Sequence, residues 1–391
     1  MKAQIKLILT LAAGMVAFTS PLFAQLAIPS DGSDGALVIS SNTVIDLSLA
    51  VTGNWTNNNS ANAGKGIYDP SKWAVVFKYS SVVISNGATL TFINHPTHAP
   101  VIWLVGGDVT IQTNGTLSLD GQSATGDPVN LPEPGPGGFR GGAESQSGLG
   151  DGGGFGPGGY YRDYGSYSTY RAYGNPQIVP LIGGSGGSGN GSSGNGGGGG
   201  GAILIAASGN ITVNGSCHAN AYNFSGTYSG SGGGLRLVAN QILGNGMISA
   251  SGIYLGRVRL EANTASTAIS VNPPTIAVSP SPLIIWPATN APTVQIVSVA
   301  SLSTPADPLA RMSVAGDDLT LATTNTVAIV LQTLNFPTNG TVNVYIKPRN
   351  FGGPQLSLQA SYVSGNTNSA IWQLNTILPT SHGVIQARAV Y

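Results

Sequence analysis

The chain has 391 residues, long enough for two domains, and 41% of them are hydrophobic, enough for real cores. Only 8% are charged, against about 25% in ordinary soluble domains, and 15 basic residues balance 15 acidic ones. With no basic run, this composition argues against nucleic acid and against anionic membrane surfaces as partners, since both need clustered Lys and Arg. A neutral partner, or none, fits it better.

The N-terminus reads as a secretory signal peptide over residues 1–24. Lys2 and Lys6 supply a positive start, Leu7 to Phe18 is mostly apolar, and small residues lead to a cut after Ala24. Leu22 is not ideal at the third position before that cut. The other reading, a membrane anchor, needs an apolar run of about 20 residues, and this one is shorter. No later stretch is long enough either, so no transmembrane segment is expected in the mature chain. Cys217 is the single cysteine, which excludes an internal disulfide.

After LAIPSDGSDGALVIS, in which Asp31 and Asp34 suit either turns or calcium ligation, come strand-like segments at 43–50, 73–85 and 88–93. Val, Ile, Thr and Leu alternate, turn residues intervene, and no amphipathic helix pattern appears. His95 and His98 have metal-like spacing, but no third ligand accompanies them and a turn explains them as well. Imperfect copies of one unit then follow at 103–121, 203–221 and 235–252, with partial copies at 81–94 and 258–263. Each full copy breaks at an Asn-Gly turn, at Asn114, Asn214 and Asn245. A β-rich unit of this length cannot bury its apolar face alone, whereas stacked units can. The expectation is a parallel β-helix-like solenoid over residues 25–271, with an antiparallel sandwich or barrel as the alternative. The copies align Asp108 with Asn210 and Asn240, and Asp120 with Asn220 and Ser251, at turn positions suited to hydrogen bonding at coil corners. They align Cys217 with Leu117 and Ile248, as an inward-facing small hydrophobe.

Between copies the chain leaves the repeat twice, at 222–234 and over roughly 122–200. The longer excursion carries GGSGGSGNGSSGNGGGGGG at 183–201, in which 13 of 19 residues are glycine. Ordering each Gly costs about 0.5–1 kcal/mol more than ordering Ala. The tract is therefore either a flexible Gly/Ser linker or a set of close-packed extended glycine helices with three residues per turn, where side chains would block contact. Its place between apolar runs at 176–182 and 202–207, inside a domain, favours the second.

The same excursion holds Tyr161, Tyr164, Tyr167, Tyr170 and Tyr173, one Tyr every third residue. A strand would alternate them between faces, and an α-helix would rotate each by about 60° from the last. A conformation with three residues per turn puts all five in one row, about 9.3 Å apart. Such a row is a candidate ligand-binding surface that could stack on neutral glycans. The alternative is a cover for glycine backbone or a disordered tract. Asp127, Glu133, Glu144, Asp151 and Asp163 also lie here, with Arg140, Arg162 and Arg171. A carboxylate pair for glycoside hydrolysis would need two of these acids flanking one bond, but their spacing forms no known motif. GLGDGGGFG at 148–156 loosely matches a calcium-binding β-roll repeat, once only. No catalytic residue, metal site or cofactor is assigned.

Composition shifts at VNPPTIAVSPSP, which places a boundary near 271. Residues 272–391 then hold seven or so short strands with no glycine tracts, the pattern of an Ig-like β-sandwich, with Trp372 as a core anchor.

On DGSDGALVIS, VIDLSLA, NHPTHAPVIWLVGGDVTIQTNGTLSLDG, the PGPGGFRGG and YGNPQIVPLIGGSGGSG segments and GGGGGGAILIAASGNITVNGS, the mature chain resembles uncharacterised glycine-rich secreted bacterial proteins. The last segment also resembles coils of filamentous-haemagglutinin-type adhesins. The resemblance implies export and a β-helical fold and brings no catalytic residues. The expected function is an exported structural or adhesive protein, secreted or at the bacterial cell surface, whose partners are neutral glycans or other surface proteins. The alternative is a carbohydrate-binding or carbohydrate-active β-helix with its site in the 122–200 excursion.

Overall fold

The computed structural model describes residues 26–57, 63–123, 132–142, 156, 162–163, 166–167, 175–187, 189, 195–222, 229–304, 319–348, 356–379 and 383–391. The residues expected to form the signal peptide lie outside this set. Among the described residues the protein is all-β, with one short 3-10 turn, Leu47–Leu49, and no α-helix.

Apart from a small two-stranded antiparallel sheet in the long excursion, the described residues up to Asn272 build three sheets that are parallel except for one antiparallel pairing. The first contains Ala36–Ile39, Ser81–Ile84, Val109–Ile111, Ile211–Val213, Gln241–Leu243 and Thr264–Ala265. The second contains Thr43–Asp46, Thr89–Ile93, Thr116–Ser118, Ser216–His218, Met247–Ser249 and Ser270–Asn272. The third runs from Val51–Thr52 through Ile67–Asp69, Ala74–Tyr79, Val101–Val105, Ala202–Ala207 and Gly234–Val238 to Arg257–Glu261. Ile67–Asp69 is antiparallel to Ala74–Tyr79. The chain visits the sheets in constant rotation, so equivalent residues of successive copies fall beside one another. Leu90, Leu117, Cys217, Ile248 and Val271 form one inward row. Phe77, Trp103, Ile205, Leu237 and Leu260 form another. Tyr79 packs edge-on against Trp103 at 5.8 Å and stacks on Phe77 at 5.4 Å within the same core.

The stretch 73–85, which reads as one strand, is two. Ala74–Tyr79 lies in the third sheet and Ser81–Ile84 in the first, with the corner at Ser80. Their burial differs for a physical reason. Ser81–Ile84 alternates, because only its inner face is covered. Ala74–Tyr79, Val101–Val105 and Ala202–Ala207 are buried throughout, because the outer face of the third sheet is covered as well. Val76, Ile102, Leu104, Leu204 and Val238 on that outer face pack against Leu26, Ile28, Trp55, Leu181, Leu283, Ile285 and Trp286. The Pro-rich stretch after residue 271 is thus a strap on the parallel body, and Val278 bridges to Glu261 at the sheet edge.

Both ends of the glycine tract are packed. Gly199 N–H donates to Phe139 O and Gly196 N–H to Gly142 O, each at 2.9 Å. Gly201 bonds Leu119 and Gly198 bonds Gln122 in the same steps of three, and Gly184 and Gly187 bond Gly200 and Gly197. A hydrogen bond at every third residue is the mark of extended helices with three residues per turn lying side by side. Ser231 joins them, accepting from Gly200 and donating to Ser185, so the short excursion packs on the long one. A Cβ at Gly183 would stand 2.7 Å from the carbonyl oxygens of both Gly137 and Gly200, and a Cβ at Gly199 would collide with Gly184 O. The packed arrangement leaves no room for side chains at these positions.

From Thr293 on, seven antiparallel strands form one hydrogen-bonded order: Leu302–Ser303, Thr293–Val299, Thr326–Leu334, Ser369–Ile377, Leu356–Asn366, Thr341–Pro348 and Gly383–Val390. Leu356–Asn366 is shared. Its first half pairs with Thr341–Pro348 and its second with Ser369–Ile377, with a register shift between Tyr362 and Ser364. Such a bulge bends the strand. The sheet curls into a half-barrel around Ile329, Leu331, Phe336, Val344 and Trp372, in place of two separate sheets. Trp372 is the expected anchor: it is 3% exposed, and its Nε1–H donates to Thr333 Oγ1 at 2.9 Å.

Candidate functional site

Of the five tyrosines, Tyr161, Tyr164, Tyr170 and Tyr173 lie outside the described residues. Tyr167 belongs to a two-residue strand, Ser166–Tyr167, paired antiparallel with Arg162–Asp163. The excursion's acids Asp127, Glu144 and Asp151 also lie outside the description, and Asp163 is placed only as a strand residue in that pair.

Glu133 is the excursion acid whose surroundings are described. It sits where the glycine segment leaves the second sheet, held by four neighbours from three segments. Arg140 pairs with Oε1. Asn94 Nδ2 donates to Oε2 at 3.3 Å and to Pro134 O at 2.8 Å. His98 Nδ1 stands 3.8 Å from Oε2. The backbone of Glu133 accepts from Gln122 N–H. His95 stacks on Tyr68 at 4.1 Å and meets Thr97 Oγ1 through Nδ1 at 2.8 Å. His98 N–H donates to His95 O, closing the turn read from the sequence. Burial lowers the pKa of both imidazoles. For His98, Glu133 opposes this effect, while Arg140 and His95 add to it. The two rings face different partners, and no group of three or more His, Cys, Asp or Glu suited to a metal occurs among the described residues.

The coil corners carry the second cluster. Asp108 Oδ1 accepts from Asn210 N–H at 2.7 Å and Asp120 Oδ1 from Asn220 N–H at 2.6 Å. Asn220 Oδ1 in turn accepts from Ser249 Oγ, Ser251 N–H and Ser251 Oγ. Each corner side chain thus ties down the next coil. Asn240 differs from its sequence alignment. The third copy is one residue shorter at this corner, so Asn240 stands beside Gly209 and accepts from Asn263 instead. His218, absent from the sequence candidates, lies on the outer face of the second sheet between Ser118 and Ser249, with Nδ1 2.9 Å from Asp120 Oδ1. The repeat alignment held the signal, since it sets His218 two residues before Asn220, the partner of Asp120.

Asp31 and Asp34 are spent on structure. Lys78 Nζ donates to Asp31 Oδ2 at 3.0 Å, and Asp34 accepts the backbone N–H groups of Lys78 and Gly64. The ammonium in contact with Asp31 repels a second cation at this place. Cys217 is fully buried, and burial pushes its thiol up to about 12. No helix among the described residues is long and apolar enough to cross a membrane. No family model, curated protein or solved structure matches the chain.

Proposed function

We propose that the chain is an exported structural or adhesive protein without enzymatic activity, secreted or displayed on the bacterial cell surface. On this reading its three sheets are the walls of a parallel β-helix, related in kind to adhesin coils. The glycine segments form a packed rib along it, and the C-terminal half-barrel is a docking module. The first domain then extends through the strap to about residue 286, beyond the composition shift. The engagement of the acids carries this reading. Asp31, Asp34, Asp108, Asp120 and Glu133 each hold backbone or a basic partner, an arrangement that engages the acids in fixing coils. Incubating the chain from Gln25 onward with a panel of neutral polysaccharides tests it. No released product is expected, and product whose yield falls in Glu133→Gln would overturn it.

A second reading, a carbohydrate-binding or carbohydrate-active protein, draws on one observation: Glu133, Arg140, His98 and Asn94 converge at the root of the excursion that carries the tyrosines. Binding on a glycan panel that is lost when Tyr161, Tyr164, Tyr167, Tyr170 and Tyr173 become Ala would put this reading first.

A further inference from the structure

Lys78 is the one charged residue in a strand whose six positions are all buried. Its stem lies on the outer face of the third sheet, beside Leu104 on the next strand and two residues from Val76. The side chain is 4% exposed. Residues 30–35 run alongside, held by Ser30 Oγ to Tyr79 O at 3.0 Å and by Ser80 N–H to Gly35 O at 2.8 Å. This track sets the Asp31 carboxyl against the amine, with Oδ2 3.0 Å from Nζ and Oδ1 accepting Ser33 N–H at 3.0 Å. A second carboxyl, Asp34, is locked beside Lys78 by backbone bonds in both directions.

We propose that Lys78 and Asp31 condense to an intramolecular isopeptide bond, with Asp34 as the proton-transfer group. An amine nucleophile, a fixed carboxyl carbon and a neighbouring acid are the three parts this chemistry needs. The ammonium first passes a proton to the Asp31 carboxylate within the contact pair, giving neutral amine and carboxylic acid. Lys78 Nζ then attacks Asp31 Cγ. Ser33 N–H and a proton from Asp34 stabilise the developing oxyanion. As the tetrahedral intermediate collapses, the Cγ–OH bond breaks, Asp34 recovers a proton from the nitrogen, and one water leaves. The C–N bond replaces the C–O bond, and no oxidant or cofactor is consumed. Two free molecules in water would not condense, but a pair held in contact gains an effective molarity of about 10⁵–10⁸ M. The site is shaped for the exchange, because Nζ is shielded while the Asp31 side chain is 39% exposed, which leaves the water an exit. Burial also raises the pKa of Asp34, keeping more of it protonated at a given pH. In a chain whose single cysteine allows no internal disulfide, the bond would fasten the N-terminal segment to the third sheet.

Mass spectrometry of the folded chain tests this directly. The mass, counted from the observed N-terminus, is expected to fall short of the sequence mass by one water. Trypsin should fail to cut after Lys78, and one branched peptide should join residues 31 and 78. Lys78→Arg should restore the full mass. Full mass with a cleavable Lys78 in the folded wild-type chain would overturn the proposal. Asp34→Asn should abolish or greatly slow the bond, with folding checked by protection of Cys217 from alkylation; a folded Asp34→Asn chain that still loses water at the wild-type rate would remove Asp34 from the mechanism.

Discussion

Cys217 shows how position sets chemistry at the scale of one residue. It lies in an inward row between Leu117 and Ile248, and burial keeps the thiol protonated far above neutral pH. Iodoacetamide should leave the native chain unmodified and add one equivalent after denaturation; rapid native labelling would show that the row is open. The inward position was legible from the repeat, because the residues aligned with Cys217 are apolar. The burial of Lys78 was not, because the segments that bond to it, around Asp31, Asp34 and Asn57, lie tens of residues away. His95 and His98 give a pH-dependent term. Burial lowers both pKa values from 6.5, so the folded state prefers neutral imidazole. The stability they contribute is present above that pH and is lost as the pH falls through the folded-state values. The thermal midpoint should therefore drop on mild acidification, and His98→Gln should flatten the drop. An unchanged slope in that variant would assign the drop to other groups.

Elements are held by two devices, hydrogen-bonded corners and packed glycines. Asn220→Ala removes the acceptor for three donors at one corner and should cost about 1–3 kcal/mol, read as a shift in denaturation midpoint at constant slope. In the glycine segments, Gly199→Ala drives a methyl into Gly184 O. Because the obstacle is backbone, the loss should match or exceed the roughly 1–3 kcal/mol of ordinary overpacking; a neutral result would mean that the segments are not in contact. Corner roles for Asp108 and Asp120 were readable from the copies, and Asn240 was misplaced because the shortened third corner is invisible without the register. The glycine tract's two readings could not be separated by composition. What distinguishes them is the set of backbone bonds between segments far apart in the chain, which no local pattern encodes.

At the scale of the whole molecule, sequence period maps onto which sheet faces are covered. Strands covered on one face alternate and were read as strands. Strands covered on both faces, such as AILIAA, read as apolar runs and gave no hint of their outer cover. The C-terminal strands were legible one by one, from Thr293–Val299 to Gly383–Val390, while their joining into one curled sheet depends on the bulge at Tyr362 and Ser364, which turn signals do not announce. The strap at 273–286 was hidden for the reason that hid Lys78: its docking is a property of the third sheet's outer face.

The central claim is that the glycine segments are a packed part of the scaffold and not a linker. Native-state amide hydrogen exchange at residues 184, 187, 196 and 198–201 tests it most directly. Those N–H groups donate to backbone carbonyls of neighbouring segments, and they are expected to exchange slowly, with protection approaching that of Ala202–Ala207. Exchange at the rate of an unstructured glycine peptide would contradict the account.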